Sequence, residues 1–427
     1  MVVVTRHNKF SCMVNRGTCF TPRRNQNKST SCCILRVARS RRHHCRHHCR
    51  HHHCRLSHCS SFLTHSRSRR LHFVFLSSRA SSSSSLAAPF MRPFMCSSSS
   101  RDDLVEPTDV LCLSEIDGLT DMLNKHVQDC NVTGMTIQQA LNDPGALPLL
   151  AKAEVVVADP PTFATVADRC ESLKWFQSTF AGVDALFKAE RRDYTATRLS
   201  GVFGPAMSEY VMMHVLALER GYATNANRQR RKEWGTRSRV AQASYRTLDR
   251  CTLGVIGLGD IGSRVAKVAS SFGMRVVGCR NTVSAVPEGV EIVWPLEEVG
   301  SLLKESDYVV NLLPSTPQTR GLLGGGTLSA AKRGAVLINV GRGDVVDEAS
   351  IIEALDAGHI SHAVLDVFVS EPLPPDSPLW SHPGVTVTPH HSAESFPDDV
   401  VRVFAENLKL YRTGEALKHV LSWERGY

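Results

Sequence analysis

An α/β protein, with parallel sheets and helices on both faces, is what this sequence predicts, and three observations predict it. Short apolar runs recur from residue 109 onward, each reading as a buried strand. Helix-period segments lie between them, the alternation that produces a parallel sheet. Several runs then end in glycine, proline or polar turns, which gathers loops at the carboxyl ends of the strands, where open α/β sheets bind ligands.

The chain has 427 residues, enough for two or three domains. Its formal net charge of +9 is unevenly spread: residues 1–101 hold 19 Lys or Arg and no acid, leaving 31 bases beside all 41 acids in the rest, a net of −10. The globular part is therefore mildly acidic, and no nucleic-acid partner is expected. The leader, 1–101, is Arg- and Ser-rich, the composition of a mitochondrial or plastid transit peptide. An organellar location after its removal is expected, with the cytoplasm as the alternative if the leader is an overextended gene model. The run from Arg41 to Arg55 repeats His and Cys without surrounding elements to fix ligand geometry, so no metal site is expected there. Leu71 to Leu76 is too short to cross a bilayer, and no membrane partner is expected. Nine of the 14 cysteines lie in the leader; Cys112, Cys130, Cys170, Cys251 and Cys279 are scattered among apolar stretches, as in a reduced compartment.

From Asp102 the pattern becomes globular. Asp109 to Ser114 reads as a strand, Leu119 to His126 as a helix, and Val155 to Ala158 and Leu173 to Gln177 as further strands. The last leads into Ala181-Gly182-Val183, where backbone N–H groups are candidates to hold a substrate carboxylate, an ordinary turn being the alternative. Gly204 to Tyr210 opens a long helical run whose methionines fill core. Arg228 to Arg239 is basic and polar, a solvated face, and Trp234 within it reads as part of a loop reaching across a dimer.

The stretch from Leu253 to Arg280 is the most informative. Leu253 to Ile256 and Val276 to Cys279 are strand candidates, and Val265, Ala266, Ala269 and Phe272 recur at helical spacing between them, with Gly273 at the helix stop. Gly257-Leu258-Gly259-Asp260-Ile261-Gly262 joins the first strand to that helix. Gly257 permits the tight turn, Gly259 the approach of a pyrophosphate, and Gly262 close packing of helix on strand. Phosphates would sit on the N–H groups of the helix N-terminus, at Asp260 and Ile261. Arg280 stands 23 residues beyond Gly257. A dinucleotide site for NAD carries an acid about there, whereas Arg accommodates the 2′-phosphate of NADP. NADP(H) is the expected cofactor, with NAD(H) second, and Asn281 is placed to add a hydrogen bond.

Tyr308 to Leu313 is a strand ending at Pro314, Gly334 to Val340 one ending at Gly341-Arg342, His362 to Phe368 one closed by Glu371-Pro372, and Val385 to Thr388 one closed by Pro389-His390. An Arg, a Glu and a His thus project from three successive strand ends toward one cleft. Reducing a 2-keto acid needs a hydride donor, a cation for the carboxylate and ketone, and a proton donor for the developing alkoxide. Arg342 supplies a planar bidentate cation. His390 is the natural proton donor near neutral pH, with Glu371 favouring its protonated form.

GLGDIG at 257–262, LPSTPQTRGL at 313–322, INVGRGDVVDE at 338–348, LDVFVSEPLP at 365–374 and VTPHHS at 387–392 resemble the D-isomer-specific 2-hydroxyacid dehydrogenases, and within them the glyoxylate/hydroxypyruvate reductases. By that resemblance Arg342 is the substrate-binding catalytic Arg, Glu371 the partner of His390, and His390 the acid/base. It also implies that Asp366 faces the nicotinamide amide, that Leu313 and Pro314 line the cofactor, and that Ala181, Gly182 and Val183 form the substrate-carboxylate loop. The implied fold has two Rossmann-like domains: a flavodoxin-like substrate domain over 102–206, a dinucleotide-binding domain over 207–393 inserted into it, and a return over 394–427. The family also implies a homodimer. A second class on the same fold, the dinucleotide-sensing corepressors, is disfavoured by the Arg342, Glu371 and His390 set.

Overall fold

Residues 106–234, 245–282 and 285–427 are described by the computed structural model of the protein. The leader, and with it the expectations about targeting and the His/Cys run, lies outside the described residues, as does most of the basic run after Trp234. Two parallel sheets organise the described chain.

The first sheet comprises β1 (Thr108–Leu113), β2 (Cys130–Gly134), β3 (Val155–Ala158), β4 (Trp175–Ser178) and β5 (Thr195–Thr197), in the order β2-β1-β3-β4-β5, every pair parallel. Its helices are α1 (Leu119–His126), α2 (Ile137–Asn142), α3 (Ala146–Lys152) and α4 (Pro160–Ala164). This is the flavodoxin-like order that the family resemblance implies. β3 reads VVVA and is buried throughout, as a central parallel strand covered on both faces must be.

The second sheet follows α5 (Gly204–Glu219) and α6 (Tyr222–Arg230). It comprises β6 (Thr252–Ile256), β7 (Arg275–Arg280), β8 (Ile292–Pro295), β9 (Tyr308–Asn311), β10 (Ala335–Asn339), β11 (Ile360–Leu365) and β12 (Val385–Val387), in the order β12-β11-β10-β9-β6-β7-β8. Every pair is again parallel. The chain winds outward one way from β6 through β7 to β8 and the other way from β9 to β12, so β6 and β9 flank the switch point where a crevice must open. Helices α7 (Asp260–Ser271), α8 (Val299–Glu305) and α9 (Glu348–Asp356) cover its faces.

Helix α5 begins at Gly204, so the expected break at 206/207 falls inside its first turn. Its buried Met207, Tyr210, Val211, Met212 and Val215 pack with β6 and α7, which places the helix with the second sheet. The final helix, α10 (Pro397–Thr413), returns to the first sheet: Val400, Val403, Phe404 and Leu408 share a core with Leu119, Leu123 and Trp175. The Phe404 and Trp175 rings stack with centroids 5.2 Å apart.

Three strands have no counterpart in the sequence reading: β2, β5 and β8. All three are the outer strands of their sheets: β2 (CNVTG) and β5 (TAT) carry no apolar run, and β8 (IVWP) is apolar but only four residues long and half-buried throughout. Conversely, the expected runs at 308–313, 334–340 and 362–368 overshoot. Leu313, Val340 and Val367 are buried without being in strands, because loops leaving the carboxyl ends form the floor of the cleft and are themselves packed. No described helix is long and apolar enough to cross a membrane.

Candidate active site

The glycine turn has the geometry its sequence requires. Gly257 adopts φ +99°, a left-handed conformation that favours glycine, and a Cβ there would meet the Leu312 carbonyl carbon at 3.1 Å. At Gly262 a Cβ would lie 2.1 Å from the Gly257 carbonyl oxygen, so only glycine lets α7 approach the turn this closely. Gly259 is different: a Cβ would have no atom within 4 Å. That open face, against the N-terminus of α7, fits a pyrophosphate.

The neighbours of the turn have structural work as well. The Asp260 side chain accepts the Gly201 N–H at 2.7 Å and the Ser200 hydroxyl at 3.4 Å, so it fastens α7 to the segment joining the two sheets, while its backbone stands at the helix N-terminus. Ile261 packs against the cores of both sheets. Arg280 closes β7, and its guanidinium donates to the Ala285 carbonyl, bridging the loop that follows. Asn281 is exposed beside it. Across the switch point Leu313 is buried and Pro314 half-buried.

Two buried asparagines set the loops on that side. Asn311 ends β9 and donates through Nδ2 to Asn339 Oδ1 at 2.9 Å, while its own Oδ1 accepts the Leu313 N–H at 3.2 Å. Asn339 ends β10 and donates to the Arg342 carbonyl at 3.2 Å. Gly341 completes this joint, because a Cβ there would lie 2.8 Å from the Leu313 oxygen. The backbone carrying Arg342 is thereby fixed to the backbone carrying Leu313 and Pro314.

Arg342, Glu371 and His390 follow β10, β11 and β12, three adjacent strands. Arg342 Nε donates to Asp184 Oδ2 at 2.8 Å, and Nη1 donates to the Gly341 carbonyl at 2.7 Å. Its Nη2 lies against Gly182, where a Cβ would stand 1.6 Å away. Arg342 and the Ala181-Gly182-Val183 loop are therefore brought together, although 158 residues separate Asp184 from Arg342. Val183 is buried, and Ala181 and Gly182 are half-buried.

His390 and Glu371 form a direct pair, Nδ1 to Oε2 at 2.8 Å. An ionised carboxylate only accepts, so Nδ1 carries the proton toward Glu371 and Nε2 is the nitrogen left for chemistry. The other carboxylate oxygen of Glu371 accepts the Phe368 N–H at 2.9 Å, which fixes its plane. The hydrogen bond to Glu371 raises the His390 pKa above its ordinary value, against burial and the Arg342 charge, which pull it down. Burial pushes the Glu371 carboxyl up, but the bonds from His390 and Phe368 outweigh it and hold the acid below the usual carboxylate range. The two shifts reinforce one another: an anion beside a cationic imidazole.

Asp366 is fully buried, and its oxygens accept the Thr388 hydroxyl at 2.6 Å and the His391 and Ser392 N–H groups, each at 3.0 Å. Those bonds outweigh the effect of burial and keep its pKa low. Its carboxylate thereby orders the loop bearing His390.

Sequence reasoning missed Asp184, Asn311, Asn339, Thr388 and Tyr210. For the asparagines a signal exists: a single amide closing an otherwise apolar strand reports a capped loop. Asp184 had no signal, since its partner is distant in the chain.

A dinucleotide turn at the switch point of one sheet, and a cation and an acid/base pair on its neighbouring strand ends facing the loop of a second sheet, define a two-domain hydroxyacid dehydrogenase. The sequence profile of the D-isomer specific 2-hydroxyacid dehydrogenase NAD binding domain matches residues 212–392. The glyoxylate/hydroxypyruvate reductase A of Serratia proteamaculans is 33% identical over 256 residues, 58% of this chain and 79% of that protein. That of Yersinia enterocolitica is 31% identical over 284 residues, 64% of this chain and 88% of that protein. The crystal structure of a D-isomer specific 2-hydroxyacid dehydrogenase from Xanthobacter autotrophicus, in complex with NADPH and MES, superposes with a TM-score of 0.67 at 33% identity, covering 75% of this chain and all of that one. The chain belongs to the D-isomer-specific 2-hydroxyacid dehydrogenase family, and its relatives include glyoxylate/hydroxypyruvate reductases.

Proposed function

We propose that this protein is an NADPH-preferring reductase of a small 2-keto acid of the glyoxylate or hydroxypyruvate type, yielding the D-2-hydroxy acid. Family membership makes it an NAD(P)-dependent oxidoreductase, and the observation that carries the finer reading is the His390–Glu371 pair in the loops after β12 and β11, beside Arg342 after β10. The cofactor, held by the Gly257 to Gly262 turn and the N-terminus of α7, supplies the hydride. Arg342 and the backbone of Ala181, Gly182 and Val183 bind the carboxylate of the acid, and the guanidinium polarises the ketone. His390 holds a proton at Nε2 within the same cleft and releases it to the developing alkoxide; Glu371 keeps the imidazole charged and in one orientation. Preference for NADPH is supported by Arg280 at the end of β7 and by the Xanthobacter relative, which was crystallised with NADPH. Assaying the full chain with NADPH and NADH against glyoxylate, hydroxypyruvate, pyruvate and phenylpyruvate tests the reading. Absence of turnover with all four would favour the dinucleotide-sensing class instead.

The assembly we propose is a homodimer built on α5 and α6. Met213 on α5, Tyr222 on α6 and Trp234 shortly after α6 are large apolar side chains left 53%, 71% and 97% exposed. Sedimentation of the full chain at micromolar concentration checks it, a monomer being the contrary result. For location we propose an organelle after removal of residues 1–101, which mass spectrometry of the native protein tests by finding a mature N-terminus near Ser97 to Asp102. An intact leader would sink that proposal.

A further inference from the structure

We infer that Asp184 is the positioning residue for Arg342, an inference that rests on the reductase reading above. An Arg side chain has several freely rotating bonds, and a guanidinium that must meet a carboxylate bidentately has to be held in one plane. Two contacts hold it here. Nε donates to Asp184 Oδ2 at 2.8 Å, and Nη1 donates to the Gly341 carbonyl at 2.7 Å. With those directions fixed, Nη2 is turned to Gly182, in the space a Cβ would fill, which is where the carboxylate-binding loop runs. Gly341 belongs to Arg342's own domain and sits one residue away, so it cannot bring the cation to the other domain. Asp184 does: it opens the short 3-10 turn Asp184–Lys188 directly after the loop, on the substrate domain.

The pair therefore spans the cleft and links the orientation of the cation to the approach of the two domains. Both side chains are partly exposed, 27% for Arg342 and 35% for Asp184, so water screens the pair and it orients the cation without the cost of a buried ion pair. Asp184 touches the Nε edge of the fork, which a terminal bidentate contact to the substrate carboxylate does not use. Its function is to order the cation, not to contact the substrate.

The test uses the full chain and the variants Asp184→Ala, Asp184→Asn, Arg342→Lys, Arg342→Ala and the double variant Asp184→Asn/Arg342→Lys. Initial rates with glyoxylate and NADPH give kcat and KM, quenching of NADPH fluorescence gives the cofactor Kd, and thermal unfolding reports folding. Asp184→Ala is expected to raise the glyoxylate KM by up to about fivefold, as loss of a partly exposed charged pair would, with the NADPH Kd unchanged. Asp184→Asn, which keeps a carbonyl acceptor, should fall between. Lysine presents a point charge with no planar fork for Asp184 to orient, so Asp184→Asn should add less on the Arg342→Lys background than on the wild type. An unchanged KM, a lower KM showing that Asp184 competes with the substrate, or full additivity in the double variant overturns the inference alone. A wild type inactive on glyoxylate and on the other 2-keto acids, or Arg342→Ala at the wild-type rate, overturns the reductase reading and this inference with it.

Discussion

Asp366 holds the backbone of His390: the His390 N–H donates to the Asp366 carbonyl at 2.9 Å, and the Asp366 carboxylate takes the next two N–H groups. His390 needs this support because it sits at φ +52°, a left-handed conformation uncommon for a side chain other than glycine and maintained only when its surroundings fix it. The support extends further. The Thr388 hydroxyl proton is spent on the ionised Asp366, so at 2.6 Å from Thr388 it is the Tyr210 hydroxyl that donates. Helix α5 is in this way wired to the loop of the acid/base residue.

Replacing Asp366 by Asn sets an amide donor against the N–H of His391 or Ser392. We expect a loss of about 1.5–3 kcal/mol of stability, seen as a lower denaturant midpoint, together with reduced kcat. Tyr210→Phe removes one neutral bond and should cost about 1 kcal/mol. An Asp366→Asn variant that melts like the wild type would show that the carboxylate does not order this loop.

His390→Ala should leave NADPH affinity nearly intact and lower kcat by about 10² to 10⁴. Because the folded pKa of His390 is raised by Glu371, the proton-donating form persists above the ordinary histidine range, and reduction slows only as pH rises through that raised value. Glu371→Gln removes the anion, so the fall should move to lower pH. A rate profile with the same falling limb in Glu371→Gln would refute the pairing as the cause.

The glycines of the turn separate packing from binding. Gly262→Ala drives a methyl into the Gly257 carbonyl and should cost about 1–3 kcal/mol of stability, as overpacking does. Gly259→Ala meets nothing in the protein, so it should unfold like the wild type while losing affinity for the dinucleotide. Calorimetric titration with NADPH beside thermal unfolding distinguishes the two. Equal loss of stability in both variants contradicts the assignment of Gly259 to the pyrophosphate face.

Arg280→Asp should reverse or erase the preference for NADPH over NADH with little change in kcat. A charged contact to the 2′-phosphate contributes about 1.5–3 kcal/mol, so at least tenfold in kcat/KM is at stake. A wild type that uses both cofactors equally removes the basis for this role.

Much was legible in the sequence because it depends on the local chain. The interior strands betray themselves as apolar runs, since both faces are buried, and the turn at 257–262 betrays itself because backbone approach admits only glycine. Arg342, Glu371 and His390 could be singled out because each follows a strand, and a parallel sheet carries all such loops to one end. The edge strands β2 and β5 were illegible for the complementary reason, since strands covered on one side need no apolar run, and β8, though apolar, is only four residues long.

The sequence by itself determined the fold class, the dinucleotide turn and the three residues of the cleft, because periodicity, glycine spacing and strand-end position are properties of neighbouring residues. Only the tertiary structure decided that Asp184 meets Arg342, that Nη2 lies against Gly182, that Asp260 fastens the link between the domains, and that Asp366 turns inward to order the loop of His390. Those contacts join segments far apart in the chain, and their geometry is set by how two separately formed sheets dock, which no local pattern of residue types specifies.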